Sequence, residues 1–260
     1  MSHFLSPLFF VIFIKKFLEM ENKLRCTCAS DTHTLHKRLK LDGGDLFLFT
    51  GDFMSSGYRA DELQDFVAWL KDYVSPLYTH VALIAGNHDR MAESFPDYQV
   101  KDMFEVADKI HYIKDEAIEL EFQNGQKLKI AGTPMQPFFC NWAFNVKDSD
   151  KLQFIYDSVV EEDIDILLTH CPPFSILDCS HNPRPQFGTT GEEHLGSIEL
   201  YNVIKSREKP PRYHVFGHIH GDGGKQITID KTTYINASVC DEAYKPINKI
   251  VTLEIEGRGQ

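Results

Sequence analysis

Positive charge is scarce in this 260-residue chain: 27 Lys and Arg stand against 38 Asp and Glu, for a formal net charge of −11. Binding to a long polyanion depends on Lys and Arg neutralising phosphates, so no long nucleic acid is expected as a partner. Cysteine is sparse as well. Cys26, Cys28, Cys140, Cys171, Cys179 and Cys240 form no C-x-x-C pair, which excludes a zinc knuckle and a thioredoxin-like motif. Reduced thiols in a cytoplasmic protein are the expectation. Long apolar runs are missing too. The one membrane-like stretch, residues 4–14, is broken by Ser6 and Pro7 and followed by Lys15 and Lys16. It is shorter than the roughly 20 residues that span a bilayer, and it lacks the leading charges and cleavage site of a secretory signal. No stable membrane insertion is expected. Met20 opens a polar segment ahead of the first strand, so residues 1–19 are expected to be an apolar appendage outside the fold and residues 20–260 a single domain. No repeat, low-complexity tract or linker divides the chain. What is present, 42% hydrophobic and 25% charged residues, is globular and rules out intrinsic disorder.

Short apolar runs recur at residues 24–29, 45–50, 80–85, 127–131, 164–169 and 213–216, each closed by a polar, Gly- or His-containing tip, the pattern of buried parallel strands feeding functional loops. Helical periodicity lies between several of them. Residues 61–74 place Leu63, Phe66, Val67, Leu70 and Val74 on one face, with Asp61 and Glu62 in the first turn where the helix dipole favours negative charge. Residues 149–160 do the same with Leu152, Ile155, Tyr156 and Val159, and Ser197 is placed to cap a helix running to residue 205. Asn124-Gly125 between the alternating segments 117–122 and 127–131 predicts a hairpin. Residues 227–230, 233–237 and 249–254 read as further antiparallel strands. The expected fold class is α/β: a sandwich of two mixed β-sheets flanked by helices.

The chemistry-bearing residues sit at strand ends. Asp31-x-His33 follows the first strand, Gly51-Asp52 the second, Gly86-Asn87-His88-Asp89 the third, His170 the fifth and Gly217-His218-x-His220 the last. Loops at the carboxyl ends of parallel strands converge on one crevice, so five clusters are expected to meet. Carboxylate and imidazole together suit Mn, Fe, Zn or Ni. Ligands at i and i+2 turn toward one point only where the chain leaves regular pleating, and Gly51, Gly86 and Gly217 are expected to supply that departure. Each fragment alone is weak; their ordered occurrence at successive strand ends is not.

This series resembles the calcineurin-like metallophosphoesterase superfamily, over residues from about Cys26 to Val251. The stretches at residues 211–220 and 234–240 resemble its metallophosphoesterase-domain-containing, fetal-brain 239-type, subfamily. The resemblance implies two divalent metal ions, with manganese favoured. Asp31, His33, Asp52 and His220 would hold the first, and Asp52, Asn87, His170 and His218 the second, with Asp52 as the bridge. His88 would stand near the leaving group as general acid or phosphoryl stabiliser. Ions held there would make a bound water acidic near neutral pH and able to attack phosphorus, and His88 would protonate the departing alkoxide.

Asn87, His88 and His194 are the candidate substrate contacts, with a surface position as the alternative for His194. His36 is a weaker candidate for the substrate opening, and Arg184 for a phosphate contact. Asp89 is either a solvated loop carboxylate or an orienting partner. The apolar segment 136–144 either packs over a sheet edge or walls the pocket, stacking a base on Phe139 or Trp142. Cys171 is read as packing. The expected function is a dinuclear metal-dependent phosphoesterase, by subfamily resemblance a phosphodiesterase acting on nucleotide-type or other small diesters. The alternative is a scaffold or nucleotide-binding module with little turnover. A structural zinc protein is excluded by the scattered histidines.

Overall fold

The structure, a computed structural model, describes residues 23–181 and 193–258. In chain order its strands are β1 (Leu24–Ala29), β2 (Gly44–Thr50), β3 (Tyr78–Ile84), β4 (Ile110–Tyr112), β5 (Glu116–Glu121), β6 (Lys127–Thr133), β7 (Gln136–Pro137), β8 (Asn145–Val146), β9 (Ile166–Thr169), β10 (Cys179–Ser180), β11 (Glu193–His194), β12 (Tyr213–Phe216), β13 (Lys225–Ile229), β14 (Thr232–Asn236) and β15 (Val251–Ile255). The helices are α1 (Ala60–Trp69), α2 (Arg90–Ser94), α3 (Asp97–Phe104), α4 (Ser149–Val159) and α5 (Ile198–Ser206). Two sheets dominate, with strand orders β15-β1-β2-β3-β4 and β13-β14-β12-β9-β6-β5. In the first, β1 to β4 run parallel and β15 joins β1 antiparallel. In the second, β6, β9, β12 and β14 run parallel between two antiparallel outer strands. This is the expected α/β sandwich of two mixed sheets.

Side-chain alternation explains the layering. In β2, Leu46 and Leu48 point into the space between the sheets with Cys26, Cys28 and Ile84, where they meet Leu128, Ile130, Ile166, Leu168 and Val215. Phe47 and Phe49 point the other way, onto Leu63, Phe66 and Trp69 of α1 and onto Phe104 of α3. On the far side, Ala131, Leu167 and Phe216 pack against Leu152 and Tyr156 of α4 and Leu200 and Val203 of α5. Each buried strand therefore serves two cores, which is why it reads as a continuous apolar run.

Local signals translate directly. Gly125 takes φ +76° and donates to the Phe122 carbonyl, closing the β5–β6 hairpin. Ser197 accepts from the Leu200 amide and caps α5. Asp148 caps α4 through the Lys151 amide. The expected helix 61–74 forms, but widens into a π turn over Leu70–Val74. One expectation needs correction: β14 is antiparallel to β13 but parallel to β12 on its other side, whereas β13 and β15 are antiparallel strands as expected. Among the described residues no helix is long and apolar enough to cross a membrane. The appendage expected at residues 1–19 lies outside the described residues.

Candidate functional site

The strand ends converge as expected, and the backbone departure involves the ligating residues as well as the glycines. Left-handed φ falls on Asp31 (+54°), His33 (+42°), Asp52 (+59°) and His218 (+67°), as well as on Gly51 (+99°). Non-glycine residues in this region cost about 1–2 kcal/mol each, and the surroundings hold them there. The Asp31 amide donates to the Gly51 carbonyl at 2.9 Å, the His33 amide to the Asp52 carbonyl at 3.0 Å, and the Gly217 amide to the His170 carbonyl at 3.0 Å. Gly86 and Gly217 act by close approach. A Cβ on Gly86 would lie 2.6 Å from His170 Cε1, and one on Gly217 2.8 Å from Ser30 Cβ, besides striking the Asp31 carboxylate.

Three groups of metal-capable donors result, Asp31/His33/His220, His33/Asp52/His88 and Asp52/His170/His218, each with donor atoms within 4.8 Å of one another. They are joined through His33 and Asp52. Asp52 turns Oδ1 to His170 Nε2 at 3.3 Å and Oδ2 to His33 Nε2 at 3.9 Å. Asn87 Oδ1 lies 2.9 Å from His170 Nε2, and His220 Nε2 lies 3.3 Å from Asp31 Oδ1.

Backbone carbonyls set the histidine tautomers. His33 Nδ1 faces the Met54 carbonyl at 3.3 Å, His170 Nδ1 that of Thr50 at 2.7 Å, and His220 Nδ1 that of Asp241 at 2.9 Å. A carbonyl only accepts, so each Nδ1 carries the hydrogen and each neutral ring presents its Nε2 lone pair inward. Those lone pairs face other acceptors: His33 Nε2 and His220 Nε2 are 3.3 Å apart. Buried acceptors aimed at one another need a positive charge between them, so the donor set fits divalent cations.

Without a metal, protons on His170 and His220 supply part of that positive charge. Burial opposes charge on Asp31 and Asp52, but the imidazoles of His220 and His170 hold both carboxyls well below the usual range. Burial pushes His33 down to about 4 and His218 down to about 3, so both stay neutral. Burial also works against charge on His170, yet the Asp52 carboxylate raises it to about 9, and Asp31 raises His220.

A cavity of about 410 Å³ opens onto this cluster, lined by Asp52, Asn87, His88, His218 and His220 on one side and by residues 136–139, Trp142, Leu195 and Tyr244 on the other. Residues 136–139 and Trp142 thus wall the pocket, while Ala143 and Phe144 pack into the core beside the first sheet, so the segment does both. Asn87 and His88 line the cavity, but His194 does not. Its Nδ1 is 2.5 Å from Asp178 Oδ1, and its side chain is about half exposed, which is the surface alternative. His36 is also corrected: it is buried against Phe66 and Trp69, 3.3 Å from Asp65, away from the opening. Cys171 borders the cavity but is buried, and that burial pushes its thiol up, which disfavours a nucleophilic thiolate. Arg184 lies outside the described residues.

Asp89 is no solvated carboxylate. It is fully buried and accepts from the amides of Asp52 (2.8 Å), Gly86 (2.7 Å) and Met54 (2.9 Å), so it orients the Asp52 loop rather than His88. Burial first, and then the charge of Asp52, pushes its carboxyl well above the usual range. Sequence reasoning missed three contributors. Ser238 donates to Asp31 Oδ2 at 2.8 Å, Asp241 supplies the carbonyl behind His220, and the Tyr244 ring stands edge-on to His33 at 4.7 Å. The strand expected at residues 233–237 was legible, but nothing in its composition marks the turn beyond it as part of the site.

A family model described as calcineurin-like phosphoesterase matches residues 24–222. Metallophosphoesterase domain-containing protein 1 of Homo sapiens is 31% identical over 89% of this chain and 71% of its own length, and the Mus musculus protein of that name matches equally. A UPF0046 protein of Caenorhabditis elegans is 30% identical over 87% of this chain and 80% of its own. Among solved structures, SoxB of Thermus thermophilus is 13% identical over 74% of this chain and 33% of its own, with a TM-score of 0.41, too distant to bear on the site. The matched span takes in all five strand-end clusters from Asp31 to His220, so the converging donors and the sequence likeness lead to one conclusion: the chain belongs to the calcineurin-like phosphoesterase family.

Proposed function

We propose that this chain is a metal-dependent phosphodiesterase acting on small esters, nucleotide-type diesters among them. The observation that carries the reading is the set of inward Nε2 lone pairs around a carboxylate, Asp52, whose two oxygens face different histidines at 3.3 and 3.9 Å. Asp31, His33, Asp52 and His220 would hold one divalent ion and Asp52, Asn87, His170 and His218 the other. Oxygen and imidazole donors without thiolate suit Mn, Fe, Zn or Ni, of which the family resemblance favours Mn²⁺. Bound there, the ions would supply Lewis acidity and a water that ionises near neutral pH. His88 donates from Nδ1 to the Ser55 carbonyl, which leaves Nε2, 4.0 Å from Asp52 Oδ2, to serve the leaving oxygen. Asn87, beside it, orients the phosphoryl group. The cavity is of ligand size, and its described lining has no Lys or Arg, which suits the single charge of a diester better than the dianion of a monoester. Its aromatic wall suits a planar leaving group. The free cysteines agree with a cytoplasmic setting.

The test is hydrolysis of bis(p-nitrophenyl) phosphate with and without Mn²⁺. Metal-dependent turnover that falls at least about 100-fold in Asp52→Asn, with the fold intact by circular dichroism, is expected. No hydrolysis with any divalent metal would replace this reading with that of a binding scaffold.

A further inference from the structure

We propose that Trp142 is a positioning residue for His88, holding the imidazole in the one orientation from which Nε2 reaches the leaving oxygen. This rests on reading His88 as the proton donor. The His88 ring stacks on the Trp142 indole with centroids 4.1 Å apart and planes 24° from parallel. Its edge meets His33 at 4.7 Å, and its Nδ1 donates to the Ser55 carbonyl. A single hydrogen bond leaves an imidazole free to swing about Cβ–Cγ; a face-on contact removes that freedom.

Trp142 is itself held by the chain that carries His88. The Arg90 guanidinium lies 4.9 Å from the indole centroid and 5.0 Å from that of Tyr58, while its Nη2 donates to the Asn141 carbonyl. On the next residues, the Ala143 amide donates to the Asn87 carbonyl at 3.1 Å and the Phe144 amide to Glu93 Oε1 at 2.6 Å. The 138–144 loop and the loop after β3 are thereby sewn together, with the stacked pair at their junction. The π surface of Trp142 is already engaged by His88 and Arg90, so its task differs from stacking a substrate base.

The chemistry fixes what should be lost. As the bond from phosphorus to the leaving oxygen breaks, an imidazolium His88 gives its Nε2 proton to that oxygen and ends as the neutral Nδ1–H tautomer, keeping its bond to Ser55. A p-nitrophenolate leaves without a proton, whereas a phenolate or alkoxide needs one. Misplacing Nε2 therefore harms poor leaving groups selectively.

The experiment measures kcat and KM for aryl phosphodiesters from p-nitrophenyl to phenyl, with the Mn²⁺-loaded wild type, His88→Ala, Trp142→Ala and Trp142→Phe. In both alanine variants the phenyl ester should lose about 10–100-fold more in kcat than the p-nitrophenyl ester, while Trp142→Phe, which keeps a stacking face, restores the wild-type dependence. A uniform loss in Trp142→Ala, or a change in KM alone, overturns the proposal while leaving His88 as donor. An unchanged leaving-group dependence in His88→Ala removes the donor reading itself, and the proposal with it. A second readout needs neither metal nor turnover. In Trp69→Phe, Trp142 is the sole tryptophan of the two in the chain, and His88→Ala should raise its emission by removing the stacked imidazole. Emission unaffected by His88→Ala would overturn the contact.

Discussion

Metal uptake should displace protons, and the structure indicates which ones. Burial resists charge on His170, but Asp52, 3.3 Å away, raises the imidazole to about 9. At pH 7 the metal-free ring is therefore protonated, and a cation must compete for Nε2 because Nδ1 is committed to the Thr50 carbonyl. The interval from pH 7 to about 9 corresponds to roughly 3 kcal/mol, or about 100-fold in affinity. His33 and His218, held down to about 4 and 3 by burial, present lone pairs at pH 7 already and release nothing. Calorimetric titration of Mn²⁺ into the metal-free protein, in buffers of different ionisation enthalpy, should show at least one proton released at pH 7. Affinity should climb toward pH 9, and His170→Asn should remove that proton from the count. For the metal-free fold the sign is opposite. A folded value raised above the ordinary imidazole range stabilises the protein fully below about 6.5 and is lost as pH rises through about 9. Affinity flat from pH 7 to 9, with no buffer-dependent heat, would refute both the ligation of His170 and the electrostatic argument.

Gly217→Ala should drive a methyl group into Ser30 and the Asp31 carboxylate, lowering stability by about 1–3 kcal/mol and weakening metal uptake, as read by urea denaturation and the same calorimetry; wild-type behaviour in both would show that the site has room to relax. Asp89→Asn removes a carboxylate that accepts from three buried amides. The Asn NH2 leaves at least one of those amides without an acceptor, at about 1–3 kcal/mol, so the variant should be less stable and less active even though Asp89 touches no substrate. His214, buried with Nε2 2.8 Å from Thr169 Oγ1, is pushed down to about 3 by burial. Below about pH 6.5 the unfolded chain binds a proton that the folded one refuses, so stability should fall by about 1.4 kcal/mol per pH unit as pH drops toward 3. Urea denaturation at successive pH values should show a shallower acid slope in His214→Phe.

Much of the site was legible because its signals are short-range. Asp31-x-His33, Gly-Asp52, Gly-Asn87-His88-Asp89, His170 and Gly-His218-x-His220 each stand beside the strand that positions them, and an apolar run ending in such a tip needs no third dimension to be noticed. The β5–β6 hairpin and the Ser197 cap are local for the same reason: turn and cap hydrogen bonds close within a few residues. The failures all concern residues whose partners are remote in sequence. His194 was placed by its loop, yet Asp178 draws its ring away from the cavity. His36 follows a ligand loop, yet its ring packs under α1.

By itself the sequence determined most strands of the two large sheets, though not β4, the alternation that gives each sheet two apolar faces, and the residue types that could meet at the carboxyl ends. Only the tertiary structure decided which meetings occur. It crossed β15 to β1, put left-handed geometry on the ligating residues as well as on Gly51, buried Asp89 beneath the Asp52 loop and laid Trp142 on His88. The physical reason is that periodicity reports which face of an element is apolar. Which loop closes over the polar end is set by packing and hydrogen bonds between segments far apart in the chain, and no window of sequence contains both partners.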